Sequence, residues 1–325
     1  MRAVVCEAFG GPEVLALREL PDPVSPGPGE VQVRIQARGV QYVDVLMLAG
    51  KYQFRPEPPF IPGNEGAGEI VAVGDGVTRF KLGDRVMSRH RLGAFAQFGN
   101  ASAEDCDPVP DGMSIEEAAV FRGAHHTAYH ALLQRGRLQQ GDWVLIHGAA
   151  GGIGIAAIQI AKLFGATVIA TASTDEKRAA CLDEGADFAI DYRGGFRDRV
   201  KELTGSRDGV DIAYDPIGAG VFDESLRCLR WGGRILVLGF LGGGPSTPRT
   251  NYLLIKGLEV IGVRLGGVTE NQPEIGRANM RKLVELASQG KLRPRLSHRF
   301  PLEQAAEAIQ TVIDRKVIGK AVLVG

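Results

Sequence analysis

From Trp143 onward, short apolar runs alternate with longer amphipathic stretches. The runs WVLIH (143–147), ATVIAT (166–171), DFAI (187–190), VDIAY (210–214), GRILVLG (233–239) and LEVIGV (258–263) are mostly rich in Val or Ile and read as strands. Continuously apolar strands need cover on both faces, and the helix-length segments between them supply it. The pattern predicts a six-stranded, doubly wound parallel sheet, an α/β fold. In GIGIAAIQIAKLFG, Ile155, Ile158, Ala161 and Leu163 fall near one helical face, and Gly165 can end the helix. Ser173 or Thr174 can cap the next helix, DEKRAACLDEG, whose first turn holds Asp175 and Glu176 and whose end is Gly185.

The first 120 residues are patterned differently. Short β candidates, VQVRIQA (31–37), AGEIVAVG (67–74) and DRVMS (84–88), are separated by the Pro- and Gly-rich clusters PDPVSPGPGE and RPEPPFIPG. They predict a compact, mostly antiparallel, barrel-like unit. Beyond residue 265, IGRANMRKLVELASQG and LEQAAEAIQTVIDRK read as amphipathic helices and GKAVLV as a final strand. That strand is expected to return to the first unit, since the six-stranded sheet is complete without it. The chain of 325 residues thus divides into a barrel domain, 1–124 with 265–325, and a parallel-sheet domain, 125–264.

Composition narrows the chemistry. Glycine occupies 44 of 325 positions without a Gly-x-y period, and 44% of residues are hydrophobic, so neither collagen nor disorder explains the excess. The glycines must punctuate turns or clear backbone for a ligand. Thirty-eight Lys and Arg balance thirty-eight Asp and Glu, which argues against nucleic acid as a partner. Four cysteines without a C-x-x-C pair imply free thiols in a reducing setting. No apolar stretch approaches the ~18 residues of a membrane span, so a cytoplasmic location is expected.

The segment His147-Gly148-Ala149-Ala150-Gly151-Gly152-Ile153-Gly154 follows one predicted strand and opens one predicted helix. Glycines there allow a sharp turn, a close approach of backbone to a pyrophosphate and tight helix-on-strand packing, with the helix N-terminus toward the anion. This context predicts dinucleotide binding at Ala150, Gly151, Gly152, Ile153 and Gly154. NAD sites usually place an acid at the tip of the second strand; here the tip reads Thr171-Ala172-Ser173-Thr174. Ser173, Lys177 and Tyr192 make a set suited to a 2′-phosphate, hence NADPH. The competing reading, in which Asp175 binds the ribose and Lys177 is a solvated charge, gives NADH.

A series of motifs runs the length of the chain: GGPEVL (10–15), PGPGEVQVRI (26–35), GVQYVDVLMLAGKY (39–52), PGNEGAGEIVAVGDGV (62–77), GDRV (83–86), TAYHAL (127–132), GAAGGIG (148–154), DEGAD (183–187), GGRILVLG (232–239) and GKAVLV (319–324). In this order they resemble the zinc-independent quinone oxidoreductase (zeta-crystallin-like) branch of the medium-chain dehydrogenase/reductase superfamily. The resemblance implies a GroES-like β-barrel domain clasping a Rossmann domain, with the active site in the cleft. Zinc-dependent relatives have a Cys where this chain has Val40-Gln41-Tyr42, a His where it has Asn64, and a four-Cys lobe near residue 90. No thiolate stands at those positions here, so no metal is expected. His125, His126 and His130 offer no third ligand and read as pocket or helix-surface residues.

Without a metal to polarise an alkoxide, the implied reaction is hydride delivery to a quinone or an α,β-unsaturated carbonyl. The resemblance places Thr127, Leu238, Gly239, Phe240 and the backbone of Gly262, Val263 and Arg264 around the nicotinamide, and Lys320 as an added positive charge. Where the family usually has Asn, this chain has Gln41, directed at the nicotinamide ribose and the substrate. Tyr42 and Tyr52 line the implied substrate pocket, Tyr52 being the better proton donor. Arg89, Arg91 and Arg122 would suit an enoyl-CoA acceptor, the nearest enzymatic alternative; a low-turnover NADPH-binding protein is the other. The family commonly dimerises, so a homodimer through the sheet edge near 258–263 is expected.

Overall fold

Six strands form one all-parallel sheet in the spatial order Phe188–Ile190, Thr167–Thr171, Trp143–Ile146, Val210–Asp215, Leu229–Val237, Glu259–Gly262. All six expected strands are present. Leu145, Ile169, Ala213 and Ile235 are fully buried and share a core with Phe196, Val200, Phe222 and Leu226 of the covering helices. The strand expected at Gly233 begins at Leu229, which pairs with Val210 before a register shift, and it stops at Val237, leaving Leu238-Gly239 in a loop. Strand order reverses between Trp143–Ile146 and Val210–Asp215, the kind of switch point where doubly wound sheets bind ligands.

The other sheet has seven strands, and Glu30–Val40 is its hub. This strand pairs antiparallel with Glu65–Val73, Phe98–Ser102 and Lys320–Val324, so the last strand does return to the first unit. Val31, Val33 and Ile35 alternate inward onto Ile70 and Val86. Arg2–Cys6 and Leu15–Glu19 make a separate antiparallel pair.

The structure, a computed structural model, describes residues 1–325 as two units, Met1–Gly123 with Met280–Gly325 and Ala124–Asn279. Both junctions fall inside helices, Ile115–Tyr129 and Pro273–Ser288. Residues 265–279 therefore lie with the parallel sheet. Hydrogen bonding accounts for this: the Asn279 and Gln134 amides donate to each other at 3.1 and 2.7 Å, and Val268 is buried. No helix is long and apolar enough to cross a membrane.

Candidate active site

The glycine loop is shaped by backbone sterics. Gly148 has φ +58°, and Gly151 is the N-cap of the helix Gly152–Leu163. A Cβ on Gly154 would lie 2.4 Å from the Gly148 carbonyl oxygen and 2.6 Å from Ala149 Cα, so loop and helix can be this close only with glycine there. Beneath the loop His147 is buried, its Nδ1 3.0 Å from Thr171 Oγ1 and its Nε2 2.8 Å from Ser225 Oγ. Burial pushes the imidazole down to about 3, so it is neutral and ties two strands and a helix together as an uncharged support.

Thr174, rather than Ser173, caps the helix Asp175–Asp183, accepting from the Lys177 N–H at 3.3 Å. Ser173 and Lys177 are half-buried beside that cap, and Tyr192 is half-buried past the end of the strand Phe188–Ile190. Asp175 is an exposed first-turn acid paired with Arg178, which also donates to the Ala172 carbonyl at 3.1 Å. Asp191 pairs with Arg193 at 2.6 Å, and this bonding holds its carboxyl well below the ordinary range. The first-turn acid Asp175 and the strand-tip acid Asp191 are thus each paired with an arginine. Arg178 and Arg193 went unnoticed in the sequence because each is an ordinary surface cation until its partner is known.

The Leu238–Phe240 segment sits at the tip of Leu229–Val237, where the Leu238 N–H donates to the Asp215 carbonyl at 2.9 Å. Asp215 itself receives the N–H groups of Ile217 and Gly218 at 2.8 and 2.9 Å on one carboxylate oxygen, while the other is buried without a partner. Burial raises its pKa. Gly262, Val263 and Arg264 end the edge strand, with Arg264 turned to Glu270 at 3.1 Å. Thr127 is half-buried in the helix Ile115–Tyr129, which runs into a π-helical segment, His130–Arg135, of a type often found near functional sites. His125, His126 and His130 are all buried, correcting the helix-surface alternative; His125 Nε2 lies 3.1 Å from Gln159 Oε1.

In the first unit Gln41 is the N-cap of the helix Tyr42–Leu48. Its side chain accepts from the Asp44 N–H, Asp44 accepts from the Gln41 N–H at 2.8 Å, and Gln41 Nε2 donates to Asn64 Oδ1 at 2.9 Å. The amide expected to reach for ribose and substrate is therefore anchored at both ends, with one further N–H left to donate. Asp44 is fully buried, one oxygen has no partner, and its pKa is pushed up to about 7, chiefly by burial. Glu65 accepts from Lys320 Nζ and from the Gly123 N–H, both at 3.0 Å, with Glu65 and Lys320 side chains 4% and 9% exposed. Lys320, expected as a positive charge for the site, is instead a buried partner of Glu65. The Gln-x-x-Asp spacing is a capping-box pattern that signals Asp44 in the sequence; nothing local signals the Glu65–Lys320 pair.

Tyr52 is half-buried and Tyr42 more exposed. Of the three arginines considered for a CoA acceptor, Arg89 is bonded to Asp105 at 2.8 Å and Arg122 is buried against Asp107 at 2.8 Å. Arg91 lies over the Phe54 ring, 3.9 Å from its centroid. No three His, Cys, Asp or Glu residues are grouped to hold a metal ion.

Residues 27–132 match the alcohol dehydrogenase GroES-like domain family and residues 152–288 the zinc-binding dehydrogenase family. The chain is 37% identical to quinone oxidoreductase-like protein 2 of Mus musculus over 325 residues, covering 99% of this chain and 91% of that one. It is 34% identical to the quinone oxidoreductase of Homo sapiens over 316 residues, 96% and 94% of the two chains. The crystal structure of Escherichia coli quinone oxidoreductase complexed with NADPH matches with a TM-score of 0.92 at 31% identity, over 100% of both chains.

Proposed function

The chain belongs to the quinone oxidoreductase branch of the medium-chain dehydrogenase/reductase superfamily, and from that premise we propose an NADPH-dependent oxidoreductase that reduces a quinone or an α,β-unsaturated carbonyl without zinc. The observation that carries the cofactor choice is the strand tip itself: Thr171-Ala172-Ser173-Thr174 offers no acid to a ribose diol, and Ser173 and Lys177 are half-buried beside it. NADPH, which the Escherichia coli relative holds, suits a glycine loop whose backbone packs onto the helix start as closely as Gly154 permits. When bound it supplies the hydride.

The residues divide the remaining work. Backbone N–H groups from Ala150 to Gly154 receive the pyrophosphate, and Ser173, Lys177 and Tyr192 receive the 2′-phosphate, with Arg178 and Arg193 neutralising the nearby acids. Thr127, Leu238, Gly239, Phe240 and the Gly262–Arg264 backbone border the nicotinamide. Gln41 and Tyr52 orient the acceptor, so that catalysis rests on proximity and orientation. Lys320 holds the Glu65 carboxylate in place and has no direct cofactor contact in this scheme. An enoyl-CoA acceptor is the weaker reading, because Arg89 and Arg122 are committed to aspartates.

Purified protein should oxidise NADPH when a quinone or enone is added, read from loss of nicotinamide absorbance. Binding of NADPH without turnover on any acceptor would leave only the low-turnover binding protein. Lys177→Ala should weaken NADPH ~10- to 100-fold, the worth of a charge-assisted hydrogen bond, while changing NADH little. Equal losses would exclude the phosphate assignment.

We also propose a homodimer. The edge strand Glu259–Gly262 has an open side, and Trp231 in the neighbouring strand and Leu254 and Ile255 in the helix before the edge are 73, 84 and 71% exposed. Sedimentation should show twice the 34.7 kDa chain mass, and a monomer alone would exclude the dimer. All four cysteines are buried and free, in keeping with the cytoplasmic location we propose.

A further inference from the structure

A groove on the second unit, away from the glycine loop, is lined by Arg197, Asp198, Lys201, Arg227, Tyr252 and Lys256. It lies at the N-terminal ends of the strands Val210–Asp215 and Leu229–Val237, whereas the glycine loop lies at the C-terminal end of the same sheet. Two contacts fix the position: Lys201 Nζ donates to the Asp208 carbonyl at 2.7 Å, and Lys256 Nζ donates to the Leu229 carbonyl.

The four cations are not equally compensated. Arg197 is bonded to Asp198 at 2.8 Å and Lys201 to the Asp208 carboxylate. Neither Arg227 nor Lys256 has a carboxylate partner. The Arg227 guanidinium is 5.8 Å from the Tyr252 ring centroid, and its Nε is buried with no acceptor. Lys256 is half-buried, and burial, with the neighbouring Lys201 charge, lowers its pKa. A guanidinium with no acid bonded to it and an ammonium bonded only to a carbonyl, close to a second ammonium, both gain from one incoming anion.

We propose that this groove binds a small phosphate-type anion, held by Arg227 and Lys256 with Arg197 and Lys201 at its sides. Asp198 lines the Arg197 side of the groove, and Asp208 and Glu224 are bonded to Lys201 and to the Arg197 N–H, so an extended polyanion would meet more like charge than a compact one held at Arg227 and Lys256. Tyr252 and Lys256 belong to the helix Thr250–Lys256, which joins the loop after Leu238–Phe240 to the edge strand Glu259–Gly262.

Inorganic pyrophosphate, titrated calorimetrically into protein already saturated with NADPH, tests the site without interference from the cofactor's own phosphate contacts. One saturable site per chain is expected. Arg227→Gln and Lys256→Gln should each weaken it ~10-fold, the worth of one charge-assisted hydrogen bond, with NADPH binding retained as proof of folding. Absence of a saturable site, binding that disappears once NADPH is present, or equal affinity in both folded variants would overturn the proposal.

Discussion

Replacing Lys320 with methionine is expected to lower the unfolding free energy by about 3–5 kcal/mol, the cost of leaving one member of a buried ion pair alone. Glu65 would keep only the Gly123 N–H, and its uncompensated charge would stand near Asp44, whose pKa is already raised by burial and by Glu65 and held down in part by Lys320. The loss should depend on pH. An acid whose folded pKa is raised binds its proton more tightly folded than unfolded, so its contribution to stability falls as pH rises from its ordinary 3.8 toward the folded value, about 7 for Asp44. Removing Lys320 widens that window, so the variant should lose most at about pH 8 and least at about pH 5, in denaturant titrations at both. Adding Glu65→Gln should recover part of the loss, since a neutral amide oxygen still accepts from Gly123. An unchanged midpoint would mean that the pair is not buried as described.

Gly154→Ala should cost about 1–3 kcal/mol through overpacking and weaken NADPH at least ~10-fold. The added Cβ would meet the Gly148 oxygen at 2.4 Å and Ala149 Cα at 2.6 Å, and backbone atoms cannot swing aside as a side chain can. The helix N-terminus must therefore move away from the loop, and its N–H groups move with it. Gly151→Ala is the contrast: its Cβ would lie 3.3 Å from the Gly148 oxygen, which a small shift accommodates. A fluorescence titration showing both variants binding NADPH like the parent would sink the pyrophosphate assignment.

Much of the second unit could be read in advance. Each apolar run from Trp143 to Val263 became a strand because a buried parallel strand must be apolar on both faces, a condition written in consecutive residues. The glycine loop was legible for the same reason. Thr171-Ala172-Ser173-Thr174 showed no acid, but not that Asp175 would turn to Arg178 or Asp191 to Arg193. Gln41 is instructive in another way: a family likeness points it at cofactor and substrate, and the structure adds a capping box with Asp44 and a bond to Asn64 that fix its amide and leave one N–H to donate. The domain junctions, expected where strand patterns begin and end, lie within two continuous helices, which periodicity cannot divide.

Local patterning therefore established the six-stranded sheet, its covering helices, the glycine cradle and the missing thiolates, because strand burial, capping and backbone clearance are properties of residues near one another in the chain. Folding in three dimensions alone assigned the charges. Glu65 and Lys320 are 255 positions apart, and their burial together is set by antiparallel pairing of both Glu65–Val73 and Lys320–Val324 with Glu30–Val40. The same holds for Arg227 and Lys256, which share one groove with no carboxylate bonded to either. A balanced composition states how many charges a chain carries; Coulomb energy depends on distance and burial, and those exist only once the strands have paired.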